Sequence, residues 1–287
     1  MLATYVFLFA AFFLLYVPTI PVGSHYRLHP WQMSFAAALA AGIVVGLLRW
    51  PAALGLCTLW LVASAASRAQ TPIHSARWRL LAITIAVALA LHLVPGFGLF
   101  VIAHEIRLTP ESAPMTLKAN FDQGASGLLL LAYFCPRPTI SEWPRVIMTG
   151  VAYGTAAALT AIGLVFAVGA VSMAPKLPLL AAYWVPINLL LTCVFEEVLF
   201  RRFIQGALAE ALRDRPQWRW VPLASSSVLF GLAHAGGGSL LVVAASLAGV
   251  GYGLAYARTS RIEAAVLAHF VLNAIHFFLF TYPYAAR

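Results

Sequence analysis

Apolar runs long enough to cross a lipid bilayer recur along almost the whole chain, separated by short polar breaks. A spanning helix needs about 20 predominantly apolar residues, because hydrocarbon about 30 Å thick is crossed at about 1.5 Å per residue. Residues 1–26, 31–48, 51–67 and 80–102 contain no charged side chain. The same holds for residues 146–175, 177–195, 220–257 and 264–284. Gly236, Gly237 and Gly238 divide residues 220–257 into two helices joined by a hairpin. Hydrocarbon leaves no water for backbone groups, so only helices or closed barrels span it. The strict alternation of a barrel strand is absent. The expected fold class is therefore all-α: a polytopic transmembrane helical bundle of about eight spans. Residues 128–135 form a further, marginal apolar segment. Composition agrees, with 62% hydrophobic and 9% charged residues, against about 25% charged in ordinary globular domains.

The first apolar run lacks the basic n-region and small-residue cleavage site of a signal peptide, and is read as a retained helix. Net charge is +9. The basic residues sit at the ends of apolar runs, as the positive-inside rule requires, which argues against nucleic acid as partner. Arg201, Arg202, Arg213, Arg215 and Arg219 mark one cytoplasmic loop, and Arg258 and Arg261 another. The hairpin at Gly236–Gly238 is then on the opposite side. Arg68, Arg77 and Arg79 are inside if residues 128–135 cross. Three parts are expected: residues 1–103, transmembrane helices of unassigned role; residues 104–145, a loop with the marginal apolar segment; and residues 146–287, a C-terminal bundle. Phe203, Ile204, Leu208 and Leu212 share one face of residues 202–215, which predicts a short amphipathic interfacial helix. Cys57, Cys135 and Cys193 are isolated and form neither a metal knuckle nor a disulfide framework. His104-Glu105 lacks the second histidine of a zinc-protease helix.

Only 9 of 287 residues are acidic, yet Glu196 and Glu197 stand side by side directly after residues 177–195. Carboxylates at membrane depth are costly and mark function more often than packing. Glu197 and Arg201 are four apart, so they share a helix face and can pair. Glu196 points about 100° away. One glutamate is thus expected to be structural and the other available to act. Both come late in their apolar run, where the helix dipole opposes negative charge, so they are poor candidates for a simple helix end. His234 closes a span just before the three glycines. His269 and Asn273 lie one turn apart on one face, with His276 two turns from His269. A His–Asn pair also serves as hydrogen-bonding glue between helices. Taken together, the residues offer a general base, a proton-handling imidazole and two donors for a developing oxyanion, from three helices. That set suits a hydrolase working inside a membrane.

Glu196-Glu197-Val198-Leu199-Phe200-Arg201 reads as EExxxR, Phe230 and His234 as FxxxH, and His269 and Asn273 as HxxxN. The ordered trio resembles the motifs of the CAAX protease and bacteriocin-processing (CPBP) family of intramembrane proteases, also called the abortive-infection family. The resemblance covers residues 177–284. Family members commonly carry glycine after the motif arginine, where this chain has Arg202. The resemblance implies an intramembrane endopeptidase in which Glu196 activates a water with help from His234. It further implies that His269 and Asn273 stabilise the oxyanion, while Glu197, Arg201 and Phe230 support the site. It implies a multi-pass protein of the cell membrane whose partners are the lipid bilayer and a peptide or membrane-protein substrate. Cofactor-free chemistry is favoured. The alternative is Zn²⁺ held by Glu196, His234 and His269 with an open water position. Two other classes stay open: a non-catalytic immunity or scaffold protein of the same fold, and a proton-coupled transporter, which also places glutamate and histidine along a polar path.

Overall fold

The computed structural model describes residues 1–22 and 26–286. In chain order the elements begin α1 (Leu2–Leu14), β1 (Ile20–Val22), β2 (Tyr26–Leu28), α2 (Pro30–Val44), α3 (Trp50–Arg68) and α4 (Pro72–Ala90). Next come β3 (Phe100–Ile106), β4 (Met115–Ala119), α5 (Phe121–Phe134) and α6 (Trp143–Ala167). The chain closes with α7 (Ala181–Ala211), α8 (Val221–Ala233), α9 (Ser239–Thr259) and α10 (Ile262–Leu279). Among the described residues, six helices (α3, α4, α6, α7, α9 and α10) are long and apolar enough to cross a bilayer, and α1 and α2 are apolar but shorter. The protein is a multi-pass, all-α membrane bundle, and its described strands pair only as β1 with β2 and β3 with β4.

Helix ends depart from the apolar runs where local chemistry intervenes. α1 stops at Leu14. Pro18 and Pro21 follow, each with fixed φ and no N–H to donate, and the chain turns into the β1–β2 pair. Residues 23–25 of the expected first span lie outside the described residues. α4 begins at Pro72, ahead of Arg77 and Arg79, and ends at Ala90. There His92 takes φ +58° and Gly96 φ +100°, so residues 91–102 are loop and strand rather than span. The polar stretch 104–127, expected as loop, holds the last three residues of β3, all of β4 and the first half of α5.

The largest departure concerns α7. The expected amphipathic helix at 202–215 is not a separate element: the helix that enters the glutamates runs on to Ala211, with Glu196 at its midpoint. Its 31 residues are about 46 Å long at 1.5 Å per residue, more than hydrocarbon needs. Two π-helical stretches, Ile187–Cys193 and Val198–Gln205, flank the glutamates. Such wider turns concentrate at functional sites.

The chain divides into two compact units. The first comprises Met1–Ile102, Lys118–Cys135 and Leu190–Phe195. Its centre is α5, whose marginal-looking apolar segment is deeply buried: Leu128, Leu129 and Leu130 are all fully inaccessible. Gly124 and Gly127 make room on α5 for Leu191 and Phe195. A β-carbon on Gly127 would lie 3.1 Å from the Phe195 backbone. The residue just before Glu196 is thereby seated backbone against backbone.

The second unit comprises Ala103–Leu117, Pro136–Leu189 and Glu196–Arg287. Its core is built from small side chains, including Ala157 and Ala161 of α6, Ala245 and Ala248 of α9, and Ala264 and Ala268 of α10. Gly150 and Gly154 of α6 face Ala264 and Ala268, and a β-carbon on Gly154 would fall 2.6 Å from the Ala268 carbonyl oxygen. Small residues four apart let membrane helices approach closely, where lipid supplies no hydrophobic drive. The approach fixes the residue that follows Ala268, which is His269.

Candidate active site

Glu197 and Arg201 of α7 are both fully buried. The Arg201 Nε donates to Glu197 Oε2 at 2.7 Å, and its Nη1 donates to Ser226 Oγ of α8 at 2.8 Å. Ser226 in turn donates to the Phe200 carbonyl at 2.9 Å. The guanidinium carbon lies 5.4 Å from the Phe230 ring centroid and 5.9 Å from that of Tyr252. A charge taken from water is tolerated when its hydrogen bonds and counter-charge are supplied locally. Here α7 supplies the acid, α8 a hydroxyl, and α8 and α9 the aromatic walls.

The second oxygen of Glu197 is also engaged. His269 Nδ1 lies 2.9 Å from Glu197 Oε1. The imidazole stacks on Tyr252 at 4.6 Å and 12°, and meets Phe230 edge-on at 5.6 Å. A carboxylate only accepts, so Nδ1 carries the proton and Nε2 faces away from that bond. Both oxygens of Glu197 are thus engaged, one by Arg201 and the other by His269.

Glu196 differs from its neighbour. Its Oε2 is buried and has no hydrogen-bond partner in the protein. His269, His234, Glu197 and Arg201 all act on its carboxylate electrostatically. His234, at the C-terminal end of α8, has Nδ1 2.8 Å from the Phe230 carbonyl oxygen, and its ring lies 4.7 Å from that of Phe230. Because a carbonyl also only accepts, Nδ1 of His234 is the protonated nitrogen and Nε2 of the neutral ring is an acceptor. Asn273, one turn beyond His269, donates from Nδ2 to Asn188 Oδ1 of α7 at 3.1 Å. His276 stays outside this network and packs against Tyr282, with ring centroids 5.1 Å apart.

Four participants escape a reading of the sequence: Ser226, Tyr252, Asn188 and the glycines of α6. Ser226 sits in a run of three serines within an apolar helix, and Asn188 is the one carboxamide in residues 177–195. Both are polar residues out of place, which is the signal that could have found them. Tyr252 carries no such mark. A cavity of about 1020 Å³ in the second unit is lined by Gly237 and Gly238, just past His234, and by Arg107, Val165, Leu241 and His276. Among the described residues no three His, Cys, Asp or Glu side chains stand together at metal-binding spacing.

Outside the membrane-spanning segments, Glu142 precedes α6 and accepts from Arg261, at the start of α10, at 2.7 Å. The Thr139 backbone N–H, the Arg261 guanidinium and the Thr139 hydroxyl hold its carboxyl down to about 2. This clamp ties the ends of the two helices whose close packing sets His269.

Residues 178–275 match the family model described as type II CAAX prenyl endopeptidase Rce1-like. No curated protein and no solved structure matches the chain. The matched region contains Glu196, Glu197, Arg201, Phe230, His234, His269 and Asn273, in the order EExxxR, FxxxH, HxxxN. Over this region, about a third of its length, the chain is similar to the type II CAAX prenyl endopeptidases that the model describes.

Proposed function

We propose that the protein is an intramembrane endopeptidase of the CAAX-protease type, hydrolysing a peptide bond with a water activated by Glu196. One observation carries this reading. Of two adjacent glutamates, the fully buried one is engaged by Arg201 and His269, while the other keeps a buried oxygen with no protein partner. A carboxylate in that state is suited to take a proton from water. His234 Nε2 accepts from the same water and orients it. The resulting hydroxide attacks the scissile carbonyl carbon, and the tetrahedral oxyanion is met by Asn273 and His269. His269 donates through Nε2 only as an imidazolium, with Glu197 as its fixed counter-charge. The carbon–nitrogen bond then breaks, and the proton held by Glu196 passes to the leaving amine.

Donors fixed in a dry site, aimed at the developing charge, are the largest single contribution in most acyl-transfer enzymes. Glu196, His234 and His269 would be the donors of a zinc site, but their spacing does not form one. No step is routed through a metal. The cavity of about 1020 Å³ lined by Gly237, Gly238 and His276 does not include Glu196, His234, His269 or Asn273 in its lining, so it is not assigned to the substrate. Comparative N- and C-terminal proteomics of membranes carrying the wild-type chain or Glu196→Gln tests the reading. Uncleaved precursors that accumulate only with Glu196→Gln are expected. Identical termini in the two membranes would overturn it.

A further inference from the structure

We infer that Asn188 is a positioning residue for the proposed hydrolysis: its side-chain oxygen holds the Asn273 carboxamide with the nitrogen end set toward α7. The inference rests on the peptidase reading above. An asparagine amide has two ends of similar shape and opposite polarity, and only the nitrogen end stabilises an oxyanion. Turned over, Asn273 would present Oδ1 and repel the developing charge. In the contact from Asn273 Nδ2 to Asn188 Oδ1, at 3.1 Å, Asn273 stands in the donating orientation.

The backbone explains why position 188 reaches this site. Pro186 lies inside the helix, so it donates no N–H and crowds the carbonyl four residues back. The turns that follow, Ile187–Cys193, are π-helical. In a regular α-helix, positions 188 and 196 would be about 80° out of register. Wider π turns reduce that offset, turning Asn188 toward the face that carries Glu196. The helix break therefore has a geometric consequence for the site.

The test uses the full-length protein in nanodiscs with a quenched fluorogenic peptide carrying a farnesylated cysteine four residues from its C-terminus. Asn188→Ala is expected to lower kcat about tenfold, the scale of one neutral hydrogen bond, with KM within about twofold. In the Asn273→Ala background the same change is expected to cost nothing further, because Asn188 acts only through Asn273. Asn188→Leu, which keeps the volume and loses the acceptor, is expected to match Asn188→Ala in kcat while holding Tm. Three results would overturn the inference: an unchanged kcat for Asn188→Ala, an equal loss in the Asn273→Ala background, or recovery of kcat in Asn188→Leu. Cleavage unaffected by Glu196→Gln, or no cleavage by the wild type, would remove the peptidase reading and this inference with it. Glu196-dependent cleavage with an intact Asn188→Ala enzyme would remove the inference alone.

Discussion

Among the described residues two carboxylate–imidazole pairs are found, one in each compact unit. In the first unit, Asp122 and His92 approach to 2.5 Å. In the second, Glu197 and His269 approach to 2.9 Å. The acid is buried in both. His92, however, is 49% exposed and His269 only 6% at the side chain. Asp122 takes its other bond from the Gln123 backbone, whereas Glu197 takes its from a buried guanidinium. His92 is held at φ +58° in a loop, and His269 is locked in a helix between Tyr252 and Phe230. The pairing alone therefore does not make a site. What distinguishes the second unit is a further carboxylate, Glu196, with a buried unpartnered oxygen, and an amide donor, Asn273, one turn from the imidazole.

The comparison is broken or sharpened by substitution. The largest expected effect is on Glu196→Gln, which should lower turnover by about 10⁴-fold, the upper end for a general base, with Tm retained. Asn273→Ala should lower kcat by about 10²- to 10³-fold, the range for one oxyanion donor, in the same steady-state assay. Arg201→Ala should act on the fold: removing one partner of a buried ion pair costs about 3–5 kcal/mol, read as a large fall in thermal stability in nanodiscs. His92→Asn keeps a residue that tolerates the left-handed backbone. Leaving Asp122 with one partner fewer costs at most about 1–3 kcal/mol, and turnover should be unchanged. A loss of turnover in His92→Asn would erase the distinction between the pairs.

The smallest effect is expected at the α6–α10 clamp. Glu142 has a depressed pKa, so its contribution is present above the ordinary carboxylate pKa and fades as pH falls toward about 2. Glu142→Gln should lower Tm slightly at neutral pH, and the gap from wild type should narrow in acid.

How much of this was legible follows from the range of each signal. The bundle could be read because apolar runs and their glycine breaks are local, and the pairing of Glu197 with Arg201 follows from helical periodicity. Glu196 and Glu197 were separable for the same reason, one turning away from the arginine's face. The partner of Glu197's other oxygen was not legible: His269 is 72 positions away, and its approach depends on Gly150 and Gly154 admitting α10. The continuity of α7 through its glutamates was missed because a reader of hydropathy stops where charge begins, whereas Ser226, Phe230 and Tyr252 supply the shelter that lets the helix continue. Pro186 was visible in sequence, but its conversion of the following turns, and so the placement of Asn188, required three dimensions. The short ends of α1 and α4 follow from prolines and a left-handed histidine that a hydropathy window averages away.

The central claim is a division of labour between adjacent glutamates, and it is tested most directly by measuring cleavage rate and thermal stability for Glu196→Gln and Glu197→Gln side by side in nanodiscs. The account predicts that Glu196→Gln loses cleavage with its melting temperature intact, while Glu197→Gln melts markedly earlier. Near wild-type cleavage by Glu196→Gln, or unaltered melting of Glu197→Gln, would contradict it.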